Sequence, residues 1–350
     1  MDNPNNFQEI NSLFEACENE QVEIVKELLK QGADPNFQNE HGQTALHVCN
    51  EIETIQILLS YGANPNITDC NGDTPLHHAS ITVRVDKMRQ LLNQGADPNA
   101  LNNTKSTALH IVMCNYTKND KHLVLDAIKL LIEFHAEIDI QNKSGETPLY
   151  LGLKAKPANE QKLEIIHELL KLGANPNVKT YYGTTSLREI VLTLQNIDLL
   201  SLMILYGARV DFAQPNGVTL LHQAATKLNT EMIRKLLENG ANPNALTRLN
   251  FSPLCSVFTE FSEDEKPIVE AIDELVKHGA DINFQDSDRW TALHYAISVN
   301  YRAVANVLLR LGSNQNIRDK YGNSAIEMAL EIKCRPMYFA KNLFYNIQNL

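Results

Sequence analysis

Eleven histidines and six cysteines are the side chains of this 350-residue sequence best suited to hold a metal, relay protons or attack an electrophile. Five of the histidines, His47, His77, His110, His222 and His294, share one context: each stands third after a Thr and directly after a Leu. A metal ion needs donors that converge on one point, whereas these five are strung out along the chain. No H-E-x-x-H pair, no Cys-x-x-Cys and no Cys/His set with zinc-ligand spacing occurs. Phosphate-cradling G-x-G-x-x-G and G-x-x-x-x-G-K-[ST] loops are absent, as is the G-x-S-x-G turn of a serine nucleophile. Carboxylates are plentiful, but none is paired in a way that marks acid–base work. The expectation is no catalytic residue, no metal and no cofactor. A histidine that recurs with a period serves the period, here as a hydrogen-bonding group at a helix start.

The period itself is set by a turn, G-A-[DN]-x-[ND], at Gly32, Gly62, Gly95, His135, Gly173, Gly207, Gly240, Gly279 and Gly312. Twelve residues after each turn stands a Thr or Ser: Thr44, Thr74, Thr107, Thr147, Thr185, Thr219, Ser252, Thr291 and Ser324. A hydroxyl at this place accepts from a free amide of the first helical turn, and Pro next to it, as in Thr74-Pro75, lacks only a donor that would be unpaired there. Ser324 and Glu327 have the spacing of a capping box. The Gly ends the second helix at positive φ without a Cβ penalty, and the Asn, Asp and Pro after it reverse the chain. Each unit is therefore an extended finger, an inner helix and an outer helix. Leu13 and Ala16 start one degenerate earlier copy, with the same 19-residue span to Gly32 as Leu76 has to Gly95.

Thr74-Pro75-Leu76-His77-His78-Ala79 resembles the signature of the ankyrin repeat letter for letter, and Thr44-Ala45-Leu46-His47, Thr107-Ala108-Leu109-His110 and Thr291-Ala292-Leu293-His294 follow it closely. The resemblance covers nearly the whole chain and implies an all-α solenoid of about ten repeats with hairpin-like fingers. The expected divisions are an N-terminal capping repeat at 1–37, then repeats at 38–67, 68–100, 101–140, 141–178, 179–212, 213–245, 246–284 and 285–317. A last repeat and a capping helix fill 318–350, the helix carried by Phe339, Leu343, Ile347 and Leu350 on one face. The resemblance also implies a non-catalytic scaffold that binds another protein on its fingers and inner helices. It implies a second reading too, as substrate of an asparaginyl hydroxylase at the turns around Leu28, Asp34 and Asn36, or Leu236, Asn242 and Asn244.

A formal charge of −11 argues against a general nucleic-acid binder, which needs a basic face. No stretch is long and apolar enough to span a membrane, and Met1–Asn6 has no secretory pattern. The unpatterned cysteines fit reduced thiols, so a monomer acting in the cytoplasm or nucleus is expected. The Asn- and Ile-rich composition is also compatible with a microbial effector that binds a host protein in the host cytosol.

Because the turn-to-helix offset is constant, every change of period falls between the two helices. The 19-residue span shortens to 16 at Leu46–Gly62 and lengthens to 26, 24 and 25 at Leu109–His135, Leu149–Gly173 and Leu254–Gly279. The long cases insert polar loops around 115–122, 154–162 and 259–267, expected as surface insertions. The fingers differ in another way. The first four carry polar tips, whereas later ones hold Tyr181, Tyr182, Val218, Leu249, Phe251, Trp290 and Tyr321, with Arg248 and Arg289 beside them. Aromatic and Arg side chains dominate binding hot spots, so these nine are the candidate partner-binding residues. Packing of the rings onto neighbouring fingers is the competing explanation.

Overall fold

A computed structural model describes residues 13–116, 120–155 and 160–332. The chain divides into two compact units, 1–186 and 187–350, with the boundary at the start of the short helix Ser186–Glu189. Within the first unit, inner helices Ala45–Val48, Pro75–Ile81, Ala108–Asn115 and Pro148–Lys154 alternate with outer helices Ile52–Ser60, Val85–Asn93, Lys121–Glu133 and Glu160–Lys171. A helical segment at 13–18 and the helix Val22–Lys30 precede them. In the second unit, Leu220–Thr226, Pro253–Ser256 and Ala292–Ser298 alternate with Thr230–Glu238, Lys266–Lys277 and Arg302–Arg310, and Ala325–Ile332 follows. The described residues form helices and no strands, apart from isolated bridges such as Ala213–Thr219 at finger bases. The architecture is all-α, as expected.

The recurring Thr-x-Leu-His explains five of the repeats locally. Leu46, Leu76 and Leu109 are fully buried between neighbouring helices. Thr44, Thr74, Thr107, Thr219 and Thr291 are N-caps whose backbone amides donate to Nδ1 of the histidine three residues on, at 2.9–3.2 Å. With Nδ1 accepting, the ring proton sits on Nε2. It is donated to a carbonyl of the next finger: His47 to Asp73 (3.0 Å), His77 to Ser106 (2.9 Å), His110 to Glu146 (3.1 Å) and His222 to Phe251 (2.9 Å). One neutral imidazole thus caps its own helix and ties its repeat to the next.

Turn asparagines make a second tie. Asn36 Nδ2 donates to the Gly62 carbonyl (3.0 Å) and its Oδ1 accepts from Asn64 N (2.7 Å). Asn66, Asn99 and Asn244 repeat the pattern. Finger tips are joined by backbone bonds as well, from Cys70 to His41, Asn103 to Asn71, Lys143 to Thr104 and Tyr181 to Ser144. The close approach explains Gly145, which has φ +74° and no room for a side chain: an added Cβ would lie 2.8 Å from the Tyr181 ring and nearer still to its amide nitrogen. Gly145→Ala should therefore cost about 2 kcal/mol or more, read from the urea midpoint; an unchanged midpoint would show that these two fingers are not in contact.

His135 takes the expected left-handed conformation at φ 68°, as do Asn250 and Arg289 at the finger turn. Lys105 does the same at φ 56°, so glycine is lost at this turn among the early fingers also. Ser324 and Glu327 form the expected capping box, Ser324 N to Glu327 Oε2 at 2.7 Å and Glu327 N to Ser324 Oγ at 3.3 Å. In the sixth repeat the inner helix widens into a π-turn at Ile190–Leu194 and stops at Gln195, φ 47°.

The insertion at 259–267 is more than slack. Glu265 Oε2 accepts from Val304 N (2.9 Å) in the next outer helix, Ser262 N donates to the Tyr301 hydroxyl (2.9 Å), and Lys227 pairs with Glu260 (2.7 Å). Parts of the other two insertions, the N-terminal segment Met1–Asn6, and the expected cap on Phe339, Leu343, Ile347 and Leu350 lie outside the described residues.

Candidate protein-interaction surface

The nine candidate residues fall in both units, Tyr181 and Tyr182 in the first and the others in the second. Tyr182 is 86% exposed, Tyr321 74%, Tyr181 64% and Leu249 48%. Arg248 and Arg289 are exposed, and Val218 is half-buried. The two remaining rings are partly drawn inward. Trp290 meets the Tyr295 ring edge-on at 5.0 Å and stacks on His294 at 6.3 Å, while Phe251 meets Tyr295 edge-on at 5.8 Å. Tyr295 is itself stacked on Phe258 and hydrogen-bonded to Asp286. The packing explanation holds in part for Phe251 and Trp290, which are half-buried.

Tyr295 was not singled out among the sequence candidates. Its signal is the spacing to Asp286, nine residues, which recurs in Asp69 and His78 (Nε2 to Oδ2, 3.0 Å) and in Arg318 and Glu327 (2.9 Å). In each case a finger residue is clamped to the start of its inner helix. Asp69, Asp73 and His78 are also the grouping with metal-ligand geometry among the described residues, their donor atoms lying within 4.8 Å of one another. Those atoms are already engaged: Asp69 Oδ1 accepts from the Asn71 and Asp73 amides, its Oδ2 pairs with His78, and Asp73 Oδ1 accepts from Asn102. The bonds account for the grouping as a finger clamp.

The capping histidines are poorly suited to proton transfer near neutrality. Burial pushes His47 and His110 down to about 4, and it lowers His77, His222 and His294 as well. Two lysines are unexpectedly buried. Lys87 Nζ donates to the carbonyls of His47 (3.1 Å) and Cys49 (2.6 Å), closing the C-terminus of the inner helix Ala45–Val48. Lys162 does the same for Leu153 (2.7 Å) and Ala155 (2.6 Å). Both were hidden among the charged residues of outer helices.

Models for "Ankyrin repeats (3 copies)" match residues 13–102, 83–180 and 155–247, and one for "Ankyrin repeats (many copies)" matches 275–329. The chain belongs to the ankyrin-repeat family. Among relatives, it is 32% identical to the E3 ubiquitin-protein ligase KEG of Arabidopsis thaliana over 59% of this chain and 15% of that protein. It is 28% identical to the putative ankyrin repeat protein L86 of Acanthamoeba polyphaga mimivirus, over 68% of this chain and 39% of the relative. With the putative ankyrin repeat protein FPV022 of Fowlpox virus the figures are 27%, 59% and 39%. The chain thus spans well under half the length of these relatives. Ankyrin repeats generally mediate protein–protein interaction. No helix of the described residues is long and apolar enough to cross a membrane.

Proposed function

We propose that this ankyrin-repeat protein is a non-catalytic scaffold, acting as a monomer inside a cell, that binds another protein mainly through the fingers of its sixth to tenth repeats. The contact residues are Tyr181, Tyr182, Val218, Arg248, Leu249, Phe251, Arg289, Trp290 and Tyr321. The observation that carries the reading is the exposure of three tyrosines at finger tips, where earlier fingers present polar side chains. A ring held out in water gains from burial against a partner, and Tyr loses little rotamer entropy in doing so. Phe251 and Trp290 contribute as the half-buried floor beside Leu249 and Tyr321.

Affinity capture from the native cell with wild type and a Tyr182→Ala/Tyr321→Ala variant tests this. A partner retained by the wild type alone should, in a calorimetric titration, lose about 2 kcal/mol for the stronger of the two single substitutions, roughly 30-fold in Kd. Equal capture by both proteins would discard the finger edge. Both tyrosines are exposed, so neither substitution should disturb the fold.

A further inference from the structure

Fingers eight to ten lie within one compact unit and are joined to one another: Ser287 Oγ donates to the Leu249 carbonyl (2.6 Å), and Lys320 N to that of Asp288 (3.1 Å). The charges on these fingers are unevenly spent. Lys320 is paired with Asp288 (2.5 Å), and Arg318 with Glu327 (2.9 Å). Asp286 and Asp319 are buried; Asp286 accepts from the Trp290 amide and the Tyr295 hydroxyl, and Asp319 from the Tyr321 and Asn323 amides. Arg248 and Arg289 are exposed, and neither has an acidic partner within ion-pair distance among the described residues. On a chain of charge −11, two adjacent fingers therefore present uncompensated guanidinium groups beside Leu249 and Tyr321.

Arg289 carries a second mark. It stands at φ 58°, in the left-handed slot that glycine holds at Gly42, Gly72, Gly145, Gly183, Gly217 and Gly322. A full side chain there is less stable than glycine, as it is for Lys105 and Asn250 in the same slot.

Resting on the scaffold reading above, we infer that the edge of fingers eight to ten binds an acidic segment of the partner protein, with Arg248 and Arg289 receiving its carboxylates and Leu249 and Tyr321 receiving an apolar anchor. Guanidinium forks match carboxylates in two-point hydrogen bonding, and opposite charge across the contact selects the partner. A duplex or single-stranded nucleic acid is the weaker fit, since a phosphate chain needs a longer basic track than two arginines.

The test is selection of a displayed random 12-residue peptide library on the full chain, with wild type, Arg248→Glu/Arg289→Glu, Arg289→Gly and Leu249→Ala/Tyr321→Ala. Wild type should enrich peptides rich in Asp and Glu around one large apolar residue. The charge-reversed variant should lose that enrichment or invert it. Arg289→Gly should bind a synthetic selected peptide at least 3-fold more weakly in fluorescence anisotropy, while its thermal midpoint rises, which separates lost contact from lost fold. Selection of neutral or basic peptides that depend on Leu249 and Tyr321 overturns the acidic-segment inference and leaves the finger edge as a docking surface. Peptides indifferent to all variants overturn both readings. An empty selection overturns the inference, as does a 12-nucleotide single strand binding as tightly as the selected peptide with the same dependence on both arginines.

Discussion

Acidification from pH 7 to pH 5 should remove about 4 kcal/mol of stability from this protein through two histidines alone. His47 and His110 are buried with Nδ1 accepting from a Thr amide and Nε2 donating to a carbonyl, an arrangement only the neutral ring can make. Burial brings each down to about 4 in the folded chain, against an ordinary value of 6.5. Between those values the unfolded chain takes up protons that the folded chain refuses. Their contribution is complete above pH 6.5 and drains as the pH falls toward 4, at roughly 2 kcal/mol per ring by pH 5. His77, His222 and His294, lowered for the same reason, add to the slope. Urea unfolding across this range should show falling midpoints, with the slope reduced in His110→Gln. Imidazole signals of His47 and His110 that titrate near 6.5 in the folded protein would refute the account.

That prediction also marks how far the sequence could be read. The Thr-to-His spacing within one tetrad is local, so the helix-start role of the five histidines was legible. The Nε2 partners of His47, His77, His110 and His222 lie 26 to 36 residues away, on the next finger, and no pattern within a single repeat announces them. The capping box of Ser324 and Glu327 and the left-handed His135 are likewise local features. The candidate site was legible in composition but not in burial. Tyr181, Tyr182 and Tyr321 stay exposed, with Lys320 over the Tyr321 ring and Gly145 beneath that of Tyr181, whereas Trp290 and Phe251 turn onto Tyr295, whose place on the inner helix is held by His78 in the third repeat. Both inward-turned rings meet that one neighbour. The π-turn at Ile190–Leu194 left no cue in the apolar spacing, and charged residues on amphipathic outer helices gave no sign that Lys87 and Lys162 point inward.

Replacing Lys87 by Met should cost about 2–4 kcal/mol at pH 7. The inner helix Ala45–Val48 is the product of the short 16-residue span, and Cys49, the residue after it, turns away in an extended conformation. The freed carbonyls of His47 and Cys49 have the Lys87 ammonium as donor, delivered from the next outer helix, Val85–Asn93. Methionine keeps most of the stem's packing and removes the donor, so two buried carbonyls lose their bonds at about 1–3 kcal/mol each. Against this stands relief of a buried charge, which the protein already partly disfavours: burial brings Lys87 down to about 8 from 10.5. The unpaired carbonyls win because the neutral amine can still donate to them and methionine cannot. The same shift provides a signature that lost packing would not. Between pH 8 and 10.5 the unfolded chain holds a proton that folded Lys87 releases, so wild-type stability rises with pH through this side chain and that of Lys87→Met does not. The gap between the two proteins should widen by roughly 1 kcal/mol from pH 7 to pH 9. Lys87→Ala should fall further at every pH because it also leaves a cavity. A Met variant as stable as wild type, with a pH-independent gap, would mean that water rather than Lys87 satisfies the end of this helix.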